Sequence, residues 1–251
     1  MKQVFFAILV LAASHVHAQS DQQMPHYMSH DSSMSISGTR FIGFSYQEFK
    51  GLNARLKKMP QYEELRNGMG TLGLGSTQKI GHFVSQGALS IGYGRKGDGD
   101  KKSSALGLLG VSMDFGYNFF RPVDRVELFP TVGLGFEGYK AWIKRDLSAI
   151  PFDSVLQYPS TQATTRSLGF TNYFLTYRFG LNAGFSSQNK MFTIGLQLGY
   201  AGSFKEKEWN INESQDLLNA PTDKVSRFYG SLYMSKRINW KNKMMGMHHD
   251  M

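Results

Sequence analysis

The chain has 251 residues, a formal net charge of +9 and no cysteine. Its length suits one sizeable domain or two small ones, and the lack of cysteine excludes a small domain held together by disulfides. Glycine, with 27 residues, and aromatic residues, at 14%, are both abundant, which is typical of β-structure.

Residues 1–18 have the pattern of a cleaved secretory signal peptide. Lys2 precedes an apolar run from Val4 to Ala13, and a cleavage site follows Ala18. This run is shorter than the roughly 20 residues that a membrane-spanning helix needs, so an uncleaved anchor is the weaker alternative. The mature chain is then expected to start with a periplasmic tail, residues 19–34.

Eight later stretches alternate between large apolar residues and small or polar ones, the period of a β-strand. In the seventh, for example, Phe192 and Ile194 alternate with Thr193 and Gly195. In the first, Arg40 interrupts the apolar face. The stretches cover residues 36–46, 70–79, 83–94, 104–119, 126–142, 173–185, 191–202 and 227–240.

Two features predict that the large apolar faces point outward, into lipid. A barrel of eight strands has an interior barely wide enough for side chains, so glycine, serine and a few paired charges fit inside better than rows of aromatic rings. The links also alternate between long and short, which is typical of an outer-membrane barrel. A two-sheet sandwich with an apolar inner face is the alternative.

The pattern resembles that of the small eight-stranded bacterial outer-membrane barrels of the OmpA/OmpX-like class, over about residues 35–240. This resemblance implies an all-β, antiparallel, up-and-down transmembrane barrel with long extracellular loops, short periplasmic turns and both termini in the periplasm. It also implies contact with outer-membrane lipid, with lipopolysaccharide and with the barrel-assembly machinery, which often reads a final aromatic residue. Trp240 would be that residue here, although residues 241–251 follow it. No nucleic-acid partner is expected.

Charged residues on the small, polar faces are the first candidate site. A buried charge must find a partner, so these residues are predicted to form ion pairs that plug the lumen. The alternative is a narrow channel for ions or small solutes, in which carboxylates select cations. The residues are Asp114, Glu127, Glu137, Arg178 and Arg237.

The two tails are rich in methionine and histidine. Thioether and imidazole groups are ligands for soft metals such as copper, so copper handling is a second alternative function. The candidate ligands are Met24, His26, Met28, His30 and Met34 in residues 19–34, and Met244, Met245, Met247, His248, His249 and Met251 in residues 241–251. No other cofactor is expected.

Basic residues in the long links are predicted to bind anions such as lipopolysaccharide phosphates. The candidates are Arg95, Lys96, Lys101 and Lys102. A solvated charged rim is the simpler interpretation. In the first long link, residues 54–66 are expected to form a short helix interrupted at Pro60.

Aromatic residues near the outer strand ends are predicted to form an interfacial girdle. They are Tyr46, Tyr93, Tyr139 and Trp142.

Enzymatic activity is not expected. Hydrolases of this membrane use serine and histidine together, but His82 is the only histidine among the predicted strands and turns, and no G-x-S-x-G sequence occurs.

Overall fold

A computed structural model describes residues 34–98, 102–120, 125–145, 167–211 and 218–238. The predicted signal peptide and nearly all of both tails lie outside these residues. The described elements are β1 (Ser35–Gln47), α1 (Lys50–Lys57), β2 (Gly68–Ile80), β3 (Phe83–Gly97), β4 (Ser103–Tyr117), β5 (Val126–Lys144), β6 (Ser167–Ser186), β7 (Phe192–Ser203), β8 (Lys207–Glu208), β9 (Thr222–Asp223) and β10 (Ser226–Arg237).

Eight of the strands form one closed antiparallel barrel, in the order β1-β10-β7-β6-β5-β4-β3-β2. Each long strand pairs with its neighbours along the chain, and β1 pairs with β10 to close the sheet. The predicted eight-stranded up-and-down barrel is therefore confirmed. The two short strands β8 and β9 pair with each other in the link between β7 and β10.

Side chains alternate between the two faces of the barrel wall, as strand geometry requires. Ile194 on β7 is 62% exposed, whereas its neighbour Thr193 is 8% exposed. Outward positions on every barrel strand carry exposed large apolar residues, and we call this band the apolar belt. One member from each of the eight barrel strands, in chain order, is Ile42, Leu72, Ile91, Phe115, Val132, Leu175, Leu198 and Leu232.

The two ends of the barrel differ in their connections. Tight turns join β2 to β3 and β6 to β7, and we call this the short-turn end. At the other end, which we call the long-loop end, α1 and the β8–β9 pair lie within the connections. Among the described residues, no helix is both long and apolar enough to cross a membrane.

The predicted helix at 54–66 is wrong in its bounds, because α1 begins at Lys50 and ends at Lys57. Leu52 and Leu56, one helical turn apart, are buried. The buried apolar face therefore sets the position of the helix. Pro60 lies beyond its end and interrupts nothing.

Candidate functional site

An ionic network crosses the lumen near its middle. Arg178 donates from Nε to Oδ1 of Asp114 at 3.0 Å and lies 3.7 Å from Oε1 of Glu137 through Nη1. Arg227 donates to both carboxylate oxygens of Glu137, with 3.3 Å between Nε and Oε2. All four side chains are buried. Two cations and two anions thus neutralise one another, which offsets much of the cost of removing them from water.

Tyr229 lies within this network, between the two guanidinium groups. Its ring centroid is 4.8 Å from Cζ of Arg178 and 5.1 Å from Cζ of Arg227. Its hydroxyl accepts a hydrogen bond from Nη2 of Arg178 at 3.1 Å. The ring therefore separates the two like charges and attracts each through its π face.

The structure places the other two predicted lumen residues apart from this network. Glu127 pairs with Lys79 across the barrel at 2.5 Å, and it also accepts from Ser186 at 3.3 Å. Arg237 lies at the short-turn end, opposite Ser37, and among the described residues no ion pair joins it to the network. Of the five predicted residues, Asp114, Glu137 and Arg178 lie together.

A small cavity lies beside the network, toward the short-turn end. Its volume is about 60 Å³, enough for a few water molecules. Polar side chains that line it include Thr77, Gln86, Asn182 and Gln197. A continuous aqueous path through the barrel would have to pass both this cavity and the network.

An apolar plug fills the lumen at the long-loop end. Phe49 lies at its centre, with its ring centroid 4.9 Å from that of Tyr139 and 5.1 Å from that of Trp209. Links and α1 contribute Phe49, Leu52, Leu56, Leu65, Trp209 and Val225, and the strands contribute Met69, Leu106, Leu108, Tyr139, Ala141, Ile143 and Phe174. The plug is a second closure, formed by packing instead of by charge.

Asp223 holds parts of the plug together through hydrogen bonds. Its carboxylate accepts from the backbone N–H groups of Gly51 and Leu52 at 2.7 and 2.9 Å, and from Nε1 of Trp209 at 2.8 Å. These are free donors of the first turn of α1 and a buried indole N–H. Burial raises the pKa of the Asp223 carboxyl despite these hydrogen bonds. One side chain thus joins α1, Trp209 and β9.

Tyr139 corrects one prediction. It is not part of an outer aromatic girdle, because its side chain points into the lumen and is 1% exposed. It has the same strand parity as Glu137 and donates to that carboxylate at 2.7 Å. Tyr46, Tyr93 and Trp142 face outward as expected.

The predicted basic residues of the β3–β4 link are exposed where they are described. Lys96 lies 2.9 Å from Glu63 and Lys102 lies 3.7 Å from the same carboxylate, while Arg95 points outward from the strand end. The hydrogen bond from Lys96 lowers the pKa of Glu63. Lys101 lies outside the described residues. Glu63 therefore offsets part of the positive charge that the sequence placed here.

A second group of cations surrounds a surface cleft between α1 and the segment that leads to β2. Its volume is about 430 Å³. Lys50, Lys57, Arg66 and Lys96 line it, together with Glu48 and Glu64. We call this the basic cleft. The sequence predicted Lys96 and the basic stretch 52–58 as outward-facing candidates for anion binding, but not that they share a cleft, because its members come from three separate segments.

The predicted copper ligands, apart from Met34, lie outside the described residues, so copper binding stays a prediction. Met34 directly precedes β1 and is exposed. Within the described ranges, no group of three or more His, Asp or Glu side chains is placed to hold a metal ion. His82 contacts the backbone oxygen of Asn118 through Nδ1 at 2.8 Å and stacks on Tyr117.

Three solved structures are similar to the chain at low sequence identity. Ail, the attachment invasion locus protein of Yersinia pestis, was solved in complex with the heparin analogue sucrose octasulfate; it is 10% identical, with 82% of this chain and 99% of that chain covered and a TM-score of 0.47. Neisserial surface protein A is 8% identical, with 82% and 99% covered and a TM-score of 0.46. The outer membrane protein OprG of Pseudomonas aeruginosa is 11% identical, with 83% and 97% covered and a TM-score of 0.43. No protein-family model and no curated protein matches the sequence.

Proposed function

We propose that this chain is an integral outer-membrane barrel with a closed lumen, which acts at the cell surface through its long-loop end. The apolar belt supports the membrane location, because a band of exposed large apolar residues around a whole barrel has no stable place in water. Because the number of strands is even, the first strand begins and the last strand ends at the short-turn end of the barrel. This end would face the periplasm.

The double closure of the lumen is the observation that carries this proposal. A conducting barrel needs a path for hydrated ions, yet the ionic network fills the middle of the lumen and the apolar plug fills the long-loop end. The charged side chains of the network form ion pairs with one another, so they do not form a ring of like charges that could select ions. The barrel therefore serves as a rigid anchor for the loops.

Conductance in a planar lipid bilayer tests the closed lumen. We expect that the folded full chain produces no conductance steps under a voltage at which a wide-pore barrel, reconstituted in parallel, gives clear steps. Steady single-channel steps from the chain would overturn the proposal in favour of the narrow channel. Folding must be verified in the same sample by the strand signal in circular dichroism.

The charge of the long-loop end supports a surface role. Among its described residues, basic side chains outnumber acidic ones. Lys57 and Arg66 line the basic cleft, and Arg95 is exposed nearby. Phosphate groups of lipopolysaccharide are the anions that this end would meet in the outer leaflet, and such groups bind Lys and Arg through charge-assisted hydrogen bonds.

Binding of lipopolysaccharide to the detergent-solubilised chain tests this surface role. Lys57→Gln/Arg66→Gln is expected to weaken binding by roughly thirtyfold, since each of the two cations near an anionic surface contributes about 1 kcal/mol. Arg125→Gln/Lys190→Asn is the matched control, because it removes two cations at the short-turn end and asparagine tolerates the positive φ of 53° at Lys190. Equal loss in both variants, or binding of dephosphorylated lipopolysaccharide with equal strength, would contradict the proposal.

A further inference from the structure

The apolar belt is interrupted on one side of the barrel, near the short-turn end. Outward positions there carry small, polar or basic residues instead of large apolar ones. On the opposite wall, the belt continues without a break through Val132, Phe179 and Leu181. We call the interruption the basic notch; its members are Gly38 and Arg40 on β1, Ser76 and Gln78 on β2, and Lys236 on β10.

Strand register brings these residues together. Gly38 lies opposite Ser76 on one side and opposite Lys236 on the other. A Cβ atom at Gly38 would meet nothing within 4 Å, so the centre of the notch is open. Arg40 lies two residues further along β1, on the same face. Two cations and a serine hydroxyl thus surround one open position on the outer wall.

The notch opens into a groove with apolar walls. This groove has a volume of about 710 Å³ and is lined by Arg40 and Lys236 together with Phe192, Met234 and Ile238. It adjoins a second groove of about 720 Å³, whose lining includes Ile42, Leu72, Ile194 and Leu232. Arg40, Leu74 and Met234 line both grooves. The basic notch is therefore continuous with an apolar surface groove that runs along the outer wall toward the middle of the apolar belt.

The two cations have no carboxylate partner among the described residues. No ion pair involves Arg40 or Lys236 in that part of the chain, and the Lys236 ammonium lies 5.7 Å from the ring centroid of Phe192. An unpaired guanidinium on a lipid-facing wall is costly, and such residues mark ligand sites in membrane proteins. Long basic side chains on such a wall extend toward the interface, where lipid phosphates lie.

We infer that the basic notch binds the headgroup phosphate of an anionic phospholipid, whose acyl chains lie in the adjoining apolar grooves. This inference rests on the proposed membrane orientation, which turns the short-turn end toward the phospholipid leaflet. The positive charge of Arg40 and Lys236 complements the phosphate. Ser76 and Gln78 add hydrogen-bond donors of the kind that a headgroup requires.

Native mass spectrometry of the full chain, refolded in detergent and titrated with lipid, tests the inference. We expect the wild-type chain to retain phosphatidylglycerol about tenfold better than phosphatidylcholine. Both lipids carry a phosphate, but the choline cation neutralises that charge and is repelled by Arg40 and Lys236. Arg40→Gln/Lys236→Gln is expected to abolish this preference. Arg125→Gln/Lys140→Gln, which removes two exposed cations elsewhere, is expected to keep it, and Arg40→Lys is expected to keep most of it.

Three results would overturn the inference. The first is equal retention of the two lipids by the wild-type chain, and the second is an unchanged preference in Arg40→Gln/Lys236→Gln. The third is a wild-type dimer that becomes a monomer in this double variant, which would mean that a second copy of the chain occupies the notch. Circular dichroism and insertion into lipid vesicles are measured for each variant. A wild-type chain that inserts but shows no lipid preference refutes the notch alone, whereas a folded chain that does not insert refutes the membrane location itself.

Discussion

The hydroxyl of Tyr139 lies 2.7 Å from Oε2 of Glu137 and joins the two closures of the lumen. The ring of the same residue packs in the apolar plug, 6.0 Å from that of Phe174. Glu137 in turn holds Arg227 and approaches Arg178. A disturbance of the plug therefore reaches the charges below it through one side chain.

Tyr139→Phe tests this connection. The substitution keeps the ring but removes a hydrogen bond to a buried carboxylate, which is worth about 1.5–3 kcal/mol. We expect the free energy of unfolding to fall by that amount, measured by urea titration in lipid vesicles. Tyr93→Phe is the control, because Tyr93 is exposed on the outer wall; an equal loss there would show that the hydroxyl of Tyr139 has no special role.

Arg227→Met tests whether the network depends on balanced charge. It leaves Glu137 buried with only the more distant Arg178, and removal of one partner of a buried pair costs about 3–5 kcal/mol. Arg227→Met/Glu137→Gln removes both charges and leaves Arg178 paired with Asp114, so we expect this double variant to recover more than half of the loss. If the double variant is no more stable than Arg227→Met alone, the charge balance is not what stabilises the lumen.

The alternation of residues was enough to predict the barrel and the direction of most side chains. Small residues such as glycine and serine alternate with large apolar residues along the strands, and this alternation identifies the inward and outward faces. Asp114, Glu137 and Arg178 meet because all three lie at inward positions. Arg227 also points inward, but it was not predicted as a lumen residue. It is the first residue of the stretch 227–240, and its partner, Glu137, lies across the lumen on a strand that is not its neighbour. Pairs such as Lys79 with Glu127 join non-adjacent strands, so only the closed barrel reveals them.

The plug left a partial signal in the sequence. Leu106, Leu108 and Tyr139 have inward parity near the long-loop end, which shows that the lumen there is apolar. The segments that fill it were not predictable, because Phe49 and Trp209 arrive from links far apart in the chain. The predicted bounds of the helix were wrong because contacts within the plug are not visible in the local sequence. Burial of Leu52 and Leu56 in the plug, and not Pro60, decides where the helix lies.

The pH dependence of the plug should follow Asp223. Its pKa is raised in the folded chain above the ordinary 3.8, so the folded state binds the proton more tightly than the unfolded state does. Stability of the plug is therefore expected to be greatest below pH 3.8 and to fall as pH rises through the raised pKa. Hydrogen exchange at the amides of Gly51 and Leu52, converted to opening free energies, measures this. Asp223→Asn should show no change across that window, and an identical pH profile in this variant would assign the effect to another group.

Close approach of a ring to the strand backbone explains Gly199. A Cβ atom there would clash with Cζ and Oη of Tyr229 and would lie 2.6 Å from the backbone oxygen of Phe179. Gly199→Ala is expected to cost about 1–3 kcal/mol of unfolding free energy through overpacking, as measured by urea titration. Gly70→Ala is the matched control, because a Cβ atom at Gly70 meets nothing within 4 Å. Equal stability of the two variants would mean that the Tyr229 ring moves aside freely.

Glu63 is expected to restrain the anion affinity of the long-loop end. Its carboxylate holds Lys96 and Lys102, so Glu63→Gln should free both cations and strengthen lipopolysaccharide binding by up to about fivefold, the effect of one unit of charge near an anionic surface. Glu206→Gln removes an exposed carboxylate from another loop at the same end and serves as the control; an equal gain there would mean that only total charge matters. The lowered pKa of Glu63 means that the pairing is fully present above pH 4.5 and is lost as pH falls through the folded value. The difference between wild type and Glu63→Gln should therefore disappear only in acid below that range.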